Sequence, residues 1–546
     1  MKKNVLWALM LAVGLVSCNN ENETPEVDVP TGEAAFLSVS LKAAGTIGAS
    51  RADAGSFEYG TSDENEVKSV DFHFFKANGN KYSVVSTGSN VIKWNANEKP
   101  VESVEKVSDV VLVIKKHESE LPAKVVAVVN AATTGNYANL NALATTLVQN
   151  SPKTDKGFVM SNSVYADGNE VINATDILPE NIFAAEDADL TVEPGQVIPA
   201  DKVTSLSVNP IDIYVERVAA KVRVQGADGV DLTKMPVYDA EGNTQMKDAA
   251  GNAVYAKILG WDVTNTVTGA NTLKTINPAW NDLGFTPWNN AELFRSYWAE
   301  TPASLVPAHT HKFNTLTDSD PKYYFENTKE WEEENTVTPT DDSNQAPQLL
   351  VAAQLVNEKG EAIQLAKWYN VLYTIDGLQT AMVNQIASKL FVPEEGKNNE
   401  YRSITPADVT FEQRAANTAD NRYEVIMVAK SGVTYYSPEG AAATPATSLT
   451  ADAVNKIIGS VDPAQMWIEG KTYYYTDIKH FGEAIGMVRN HVYDITLTKI
   501  MGFGTPVYNP DHIITPERPD EQEAANLAAQ INILSWHVVS NEVTLQ

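Results

Sequence analysis

Cys18 is the single cysteine of the chain, and it stands where an export signal would end. Lys2 and Lys3 make a short basic start. An apolar run follows from Val5 to Val16, interrupted only by Gly14 near its end. The run is short for a bilayer span and suits a signal segment. It closes on Leu15-Val16-Ser17-Cys18, which reads as a bacterial lipobox, in which the cysteine becomes residue one and its thiol is acylated. A plain signal followed by a chance cysteine is the alternative, and the position of the only thiol favours lipidation. Arg51 offers a second chemistry. Every basic residue before it is lysine, and the next arginine is Arg217. It lies among small residues, with Ala52 behind it, where an arginine-specific protease could reach an extended backbone. Taken alone it would read as an ordinary surface arginine.

Other chemistry is sparse. His309-Thr310-His311 would put two imidazoles on one face of a strand, but beside Pro307 a polar loop is the better reading. Glu332-Glu333-Glu334 and Asp341-Asp342 could draw calcium, yet carboxylate runs are usually solvated loops. Asp167-Gly168-Asn169-Glu170 reads as a turn, and Gly502-Phe503-Gly504 as another. No phosphate loop, nucleophile elbow, zinc helix or dinucleotide fingerprint occurs. No enzyme, cofactor or metal is therefore expected. One thiol also excludes an internal disulfide and any site built on several thiolates. With 41 basic and 70 acidic residues the formal charge is −29, which repels nucleic acid and anionic membrane surfaces.

These residues need elements to hold them, and the patterns are those of strands. Leu37, Val39 and Leu41 alternate with serines, the period of a half-buried strand, between a polar tether (Asn19 to Gly32) and the loop that leads to Arg51. Val70, Phe72 and Phe74 alternate before the turn Asn78-Gly79. Val110 to Ile114 and Val125 to Val129 are runs expected of strands buried on both faces. Leu140, Leu143 and Leu147 have helical spacing, and so do Leu449, Val454, Ile457 and Ile458 ahead of Gly459. Ile211 to Val224 reads as one strand with a bulge at Ala219-Ala220, opening a second domain near Asn209-Pro210. Val254 to Val263, Leu349 to Leu355 and Val488 to Ile500 are further strands. Trp467 to Tyr475 reads as a hairpin, Glu326 to Asn344 as a solvated acidic loop, and Pro506 to Pro519 as extended linker. Ile531 to Leu545 is β-forming to the end of the chain. Ile531, Ile533, Val539 and Val543 share one parity; Leu534, Trp536 and Val538 share the other. A strand apolar on both faces must be covered by something.

In order and spacing these pieces resemble the fimbrillins of Bacteroidales, and among them the major subunit of the short (minor) fimbria. The likeness rests on the lipobox followed by FLSVSLKAAG and Arg51, on VVAVVN (Val125 to Asn130) and FVMS (Phe158 to Ser161), on YVERVAAKVRV (Tyr214 to Val224), and on VRNHVYDITL (Val488 to Leu497). It implies a mainly β fold of two transthyretin-like Greek-key β-sandwich domains with short helices, plus a C-terminal donor strand. The expected division is a signal at 1–18, a propeptide at 19–51, sandwiches at 52–208 and 209–520, and a polymerisation strand at 521–546.

The resemblance also implies a mechanism. A lipoprotein acylated at Cys18 reaches the outer membrane with Leu37, Val39 and Leu41 filling a groove of its own first domain. A trypsin-like, arginine-specific protease cuts between Arg51 and Ala52, the strand leaves, and the tail of another copy adds to the vacated edge. The donor residues would be Ile531, Ile533, Leu534, Trp536, Val538, Val539, Val543 and Leu545. Partners would be copies of the chain in a head-to-tail polymer, anchor and tip subunits, and host or bacterial surface proteins, serving adhesion and biofilm formation. The rival expectation is a monomeric outer-membrane lipoprotein that binds glycans through exposed aromatics such as Trp467 and Tyr473-Tyr474-Tyr475.

Overall fold

Valine-rich and alternating segments become strands throughout, and the protein is mainly β. The computed structural model describes residues 33–43, 60–98, 106–117, 120–132, 135–167, 170–184, 192–200, 210–276, 299–329, 345–415, 423–444, 446–480, 484–516, 527–535 and 538–541, the last two as backbone only.

The first sheet contains β1 (Ala34–Ala43), β2 (Val67–Phe75), β3 (Val91–Glu98), β4 (Lys106–Lys115) and β5 (Lys124–Val129). Its hydrogen-bonded order is Val197–Pro199, β4, β1, Ile211–Arg217, Met160–Asn162, β5, β2, β3. Alternate residues of these strands gather in one cluster, among them Leu37, Phe72, Phe74, Ile92, Leu112, Val125, Met160 and Ile213, with Val197 of the edge piece packed against it. One shared inner face means that the sheet folds over on itself as a sandwich. The helix expected at Leu140 is α1 (Leu140–Ala144), capped by Asn139; Leu147 starts a short strand, β6 (Leu147–Gln149).

The second sheet runs Lys322–Tyr324, Ala220–Gly226, His491–Met501, Met235–Tyr238, Tyr255–Thr264, Gln348–Val356, Lys471–Asp477, Thr505–Pro506. Its core includes Val222, Trp261, Val351, Tyr474, Tyr493, Ile495 and Leu497. Gln348–Val356 and Lys471–Asp477 are antiparallel neighbours, yet more than a hundred residues separate them in sequence. The intervening chain holds helices Ile375–Asn384 and Ala451–Ile458, the paired strands Val409–Ala415 and Tyr423–Ala429, and a core of its own around Leu378, Met382, Ile404 and Val454. The sequence reading found its second helix but not the module.

Several expectations are corrected. Ile211 to Val224 is not one bulged strand: Ile211–Arg217 belongs to the first sheet and Ala220–Gly226 to the second. The chain crosses between sheets at Val218-Ala219, both fully buried. Trp467 to Tyr475 is not a hairpin. Gln465–Trp467 pairs with Leu365–Trp368, and Lys471–Asp477 pairs elsewhere. Glu469, at φ +53, turns the chain from one to the other. Glu326, Asn327 and Thr328 are buried rather than solvated; the acidic run Glu332 to Asp342 lies outside the described residues. Val507 and Ile514 pack against Leu350 and Tyr473, so that stretch of the expected linker is docked. Trp467, Tyr473 and Tyr474 are at most 3% exposed, so three of the four aromatics named for glycan binding are core residues, and Tyr475 is half-buried. His309 bonds Thr264, and His311 bonds the Val263 carbonyl. Among the described residues no three metal-ligating side chains cluster.

Candidate assembly site

β1 is a central strand. Along one edge it is antiparallel to β4, from Ala34↔Lys115 to Lys42↔Lys106, with a bulge at Leu41/Lys42. Its other edge is shared. Ala35 to Leu37 pair with Ile182–Ala184, and Val39 to Ala43 run parallel to Ile211–Arg217. Leu37, Val39 and Leu41 are 0% exposed and enter the first core. Phe36 fills the opposite face against Val111 and Val113. Lys42 donates to Asp212 at 2.5 Å, which holds its ammonium pKa above the usual value. Each large side chain so buried contributes about 1.5–3 kcal/mol. Removing β1 would open two sheet edges and an apolar groove together, a template for another strand.

Cys18, Arg51 and Ala52 lie outside the described residues. At the other end of the chain, Leu527–Ser535 is antiparallel to His491–Met501, with Ile531↔Ile495 and Ile533↔Tyr493. It occupies the edge opposite Ala220–Gly226, because both strands pair with residues 492–497. Val538–Asn541 then hairpins onto it, with Ile533↔Val539 and Leu534↔Val538. The expected single tail strand is therefore two, carrying Ile531, Ile533 and Leu534 on the first and Val538 and Val539 on the second; Trp536, Val543 and Leu545 lie outside the described residues.

Between groove and tail lies a polar junction that sequence reasoning did not assign. Its parts come from two of the quoted motifs. Glu216, from YVERVAA, accepts from Lys274 Nζ at 3.0 Å, and both side chains are 0% exposed. Arg489, from VRNHVYD, donates to both oxygens of Glu326, to the Thr272 carbonyl at 3.1 Å and to the Asn271 carbonyl at 2.7 Å. Arg217 donates through Nε to the Glu64 carbonyl at 2.9 Å, through Nη2 to Asn65, and through Nη1 to Asn490 Oδ1 at 3.3 Å. Asn490 adopts φ +59, a conformation asparagine tolerates. Lys221 reaches Glu64 at 2.8 Å, and Tyr323 donates to Glu64 at 2.5 Å. Burial alone would raise the Glu64 pKa, but these donors outweigh it and hold the carboxyl below its usual value. Glu216 is the reverse: burial raises its pKa against the pull of Lys274 and Arg489. The motifs could have been read as a junction only from their charged residues inside apolar strands, which buried pairing alone permits.

A second polar feature lies behind the first sheet. Asp71 and His73 share the face of β2 opposite Phe72 and Phe74, 4% and 1% exposed. Burial pushes Asp71 up to about 6, against Lys93 and Lys156. Burial, helped by Lys93, pulls His73 down to about 3. Folded Asp71 keeps a proton that the unfolded chain has already lost between about pH 4 and 6, so its contribution to stability falls as pH rises through 6. Folded His73 refuses a proton that the unfolded chain takes below about pH 6.5, so its contribution falls as pH drops. The two slopes cancel between about pH 4 and 6. Asp71→Asn should stabilise the fold at pH 7 by up to about 3 kcal/mol and should lose that gain steeply on acidification. Urea midpoints from pH 7 to pH 4 check this; a profile parallel to the parent's would contradict it.

The fold is that of a mainly β protein built on two large sheets. Residues 465–542 match the family described as major fimbrial subunit protein type IV, fimbrillin, C-terminal, so the resemblance carried by the motifs lies with the fimbrillins. The match spans the strands Lys471–Asp477, His491–Met501, Leu527–Ser535 and Val538–Asn541. No curated protein matches the sequence. Solved structures that align with it include a fimbrilin from Porphyromonas gingivalis, at 11% identity over 93% of this chain and 98% of that chain with a TM-score of 0.34. A Bacteroides eggerthii chain put forward as a cell adhesion protein aligns at 9% identity over 93% and 98%, TM-score 0.35. The tip fimbrial protein Mfa3 from Porphyromonas gingivalis, truncated at its C-terminus, aligns at 11% over 92% and 100%, TM-score 0.29.

Proposed function

We propose that this chain is the shaft subunit of a surface fimbria, exported as a lipoprotein acylated at Cys18, cut between Arg51 and Ala52, and polymerised by strand exchange. The division 1–18, 19–51, 52–208, 209–520 and 521–546 goes with that reading. The observation that carries it is the placement of β1, paired along both edges and buried on both faces, and followed in the sequence by the segment that contains Arg51. Such a strand cannot leave spontaneously at a useful rate, since its buried side chains and ladder bonds all oppose departure. Proteolysis behind it converts a covalently retained strand into one that a competitor can displace. The tail of a second copy is that competitor, and head-to-tail repetition without closure gives a filament. Anchor and tip subunits of the same family would end the filament, which serves adhesion and biofilm formation at the cell surface.

Replacing Arg51 with Ala tests this. The variant should accumulate at the outer membrane as a precursor that still carries Cys18 and does not polymerise, read by N-terminal sequencing and by the loss of high-mass ladders on gels. Fibres of normal yield from this variant would refute cleavage as the trigger.

A further inference from the structure

Behind β2 the structure holds a partly open cavity of about 160 Å³. A cavity of roughly 150 Å³ suffices for a ring of six carbons. Its walls divide by chemistry. Val128, Leu143 and Val159 give an apolar body, and the Tyr137 ring stands 5.4 Å from the His73 ring. Asp71 and His73 complete the lining, and their Oδ2 and Nδ1 atoms are buried without a hydrogen-bond partner. Lys93 and Lys156 act on Asp71 through space, but neither donates to Oδ2. The turn 149–151 is exposed and forms the mouth. Two orphaned groups on residues that line a cavity are costly unless something arrives to satisfy them.

We infer that this cavity binds a primary ammonium on a short alkyl chain, its N–H groups donating to Asp71 and His73 and its methylenes lying on Leu143, Val128 and Val159. A carboxylate acceptor selects a cationic donor, an imidazole nitrogen takes a second N–H, and the aromatic wall favours positive charge. The Asp71 carboxylate in its lining disfavours an anion. The ammonium could belong to a free amine or to a lysine side chain of another polypeptide, and the chemistry is the same.

Calorimetric titration of the full chain tests the site with n-butylammonium, n-butanol and Nα-acetyl-lysine amide. Saturable binding of n-butylammonium is expected, with the alcohol weaker by about tenfold or more for want of the charge-assisted bond. Asp71→Asn should weaken the ammonium by about tenfold or more, and Leu143→Trp, which fills the apolar half, should remove binding while leaving the charge in place. Equal affinity for the two lysine-like probes would assign the site to a polypeptide side chain; binding of n-butylammonium alone would assign it to a free amine. Circular dichroism of both variants separates lost binding from lost fold. Absence of binding by the parent, equal affinity for amine and alcohol, or unchanged binding by folded Asp71→Asn would overturn the inference.

Discussion

A chain that ends at Asn526 should fold and should form no fibres. That truncation removes Leu527–Ser535 and Val538–Asn541, the strands proposed to cross to a neighbour. Four or five large apolar side chains entering the groove left by β1 would contribute roughly 6–15 kcal/mol, the largest favourable term in the contact. Ordering the tail costs on the order of 1–2 kcal/mol per residue, so the contact survives only if most of those side chains are buried. Without them nothing remains to pair with β4 and Ile211–Arg217. Electron microscopy and gel ladders give the readout, and the melting curve of the truncated monomer shows whether the second sheet tolerates an open edge along His491–Met501. Fibres of normal length from this truncation would end the donor proposal without touching the role of Arg51.

The second large effect is expected at Glu326. Glu326→Ala leaves the Arg489 guanidinium fully buried beside two carbonyls and Lys274, with only Glu216 nearby to offset it. Removing one partner of such a pair costs about 3–5 kcal/mol, because the remaining charge stays desolvated. A well-packed apolar replacement of both partners, Glu326→Leu with Arg489→Met, should recover most of that loss. Denaturant midpoints of the single and double variants measure the difference. A single variant within about 1 kcal/mol of the parent would show that water or a neighbouring group takes over the bond. Because the junction fixes one sheet against the other, the single variant should also form fibres of irregular pitch.

Much of the strand content was legible. Val70-Phe72-Phe74 predicts β2, Val110 to Ile114 predicts β4, and Leu349 to Leu355 predicts Gln348–Val356, because a pleated strand imposes a two-residue period on whatever it buries. The helix ending at Gly459 was equally visible, from its apolar face and its terminator. What failed were the statements about which strand meets which. The Ala219-Ala220 pair looked like a bulge because a parity shift is all that a bulge or a crossing between sheets leaves in a sequence. Trp467 to Tyr475 looked like a hairpin because a turn between two strands says nothing of their partners. The aromatic run was open to both readings, platform and core, because type alone does not tell them apart.

By itself the sequence determined the β character, the alternation of β1, the isolation of Arg51 and of Cys18, and an apolar tail in need of a cover. These are local properties, fixed by side-chain period and by single residues. Only the tertiary structure decided that β1 is an interior strand paired on both edges, that the chain changes sheet at Val218-Ala219, and that Glu216, Arg217, Glu326 and Arg489 meet although the last lies more than 250 residues from the first. The reason is that burial belongs to pairs and faces. A carboxylate inside an apolar strand is unreadable until its guanidinium partner arrives from elsewhere in the fold, and the sequence does not say from where.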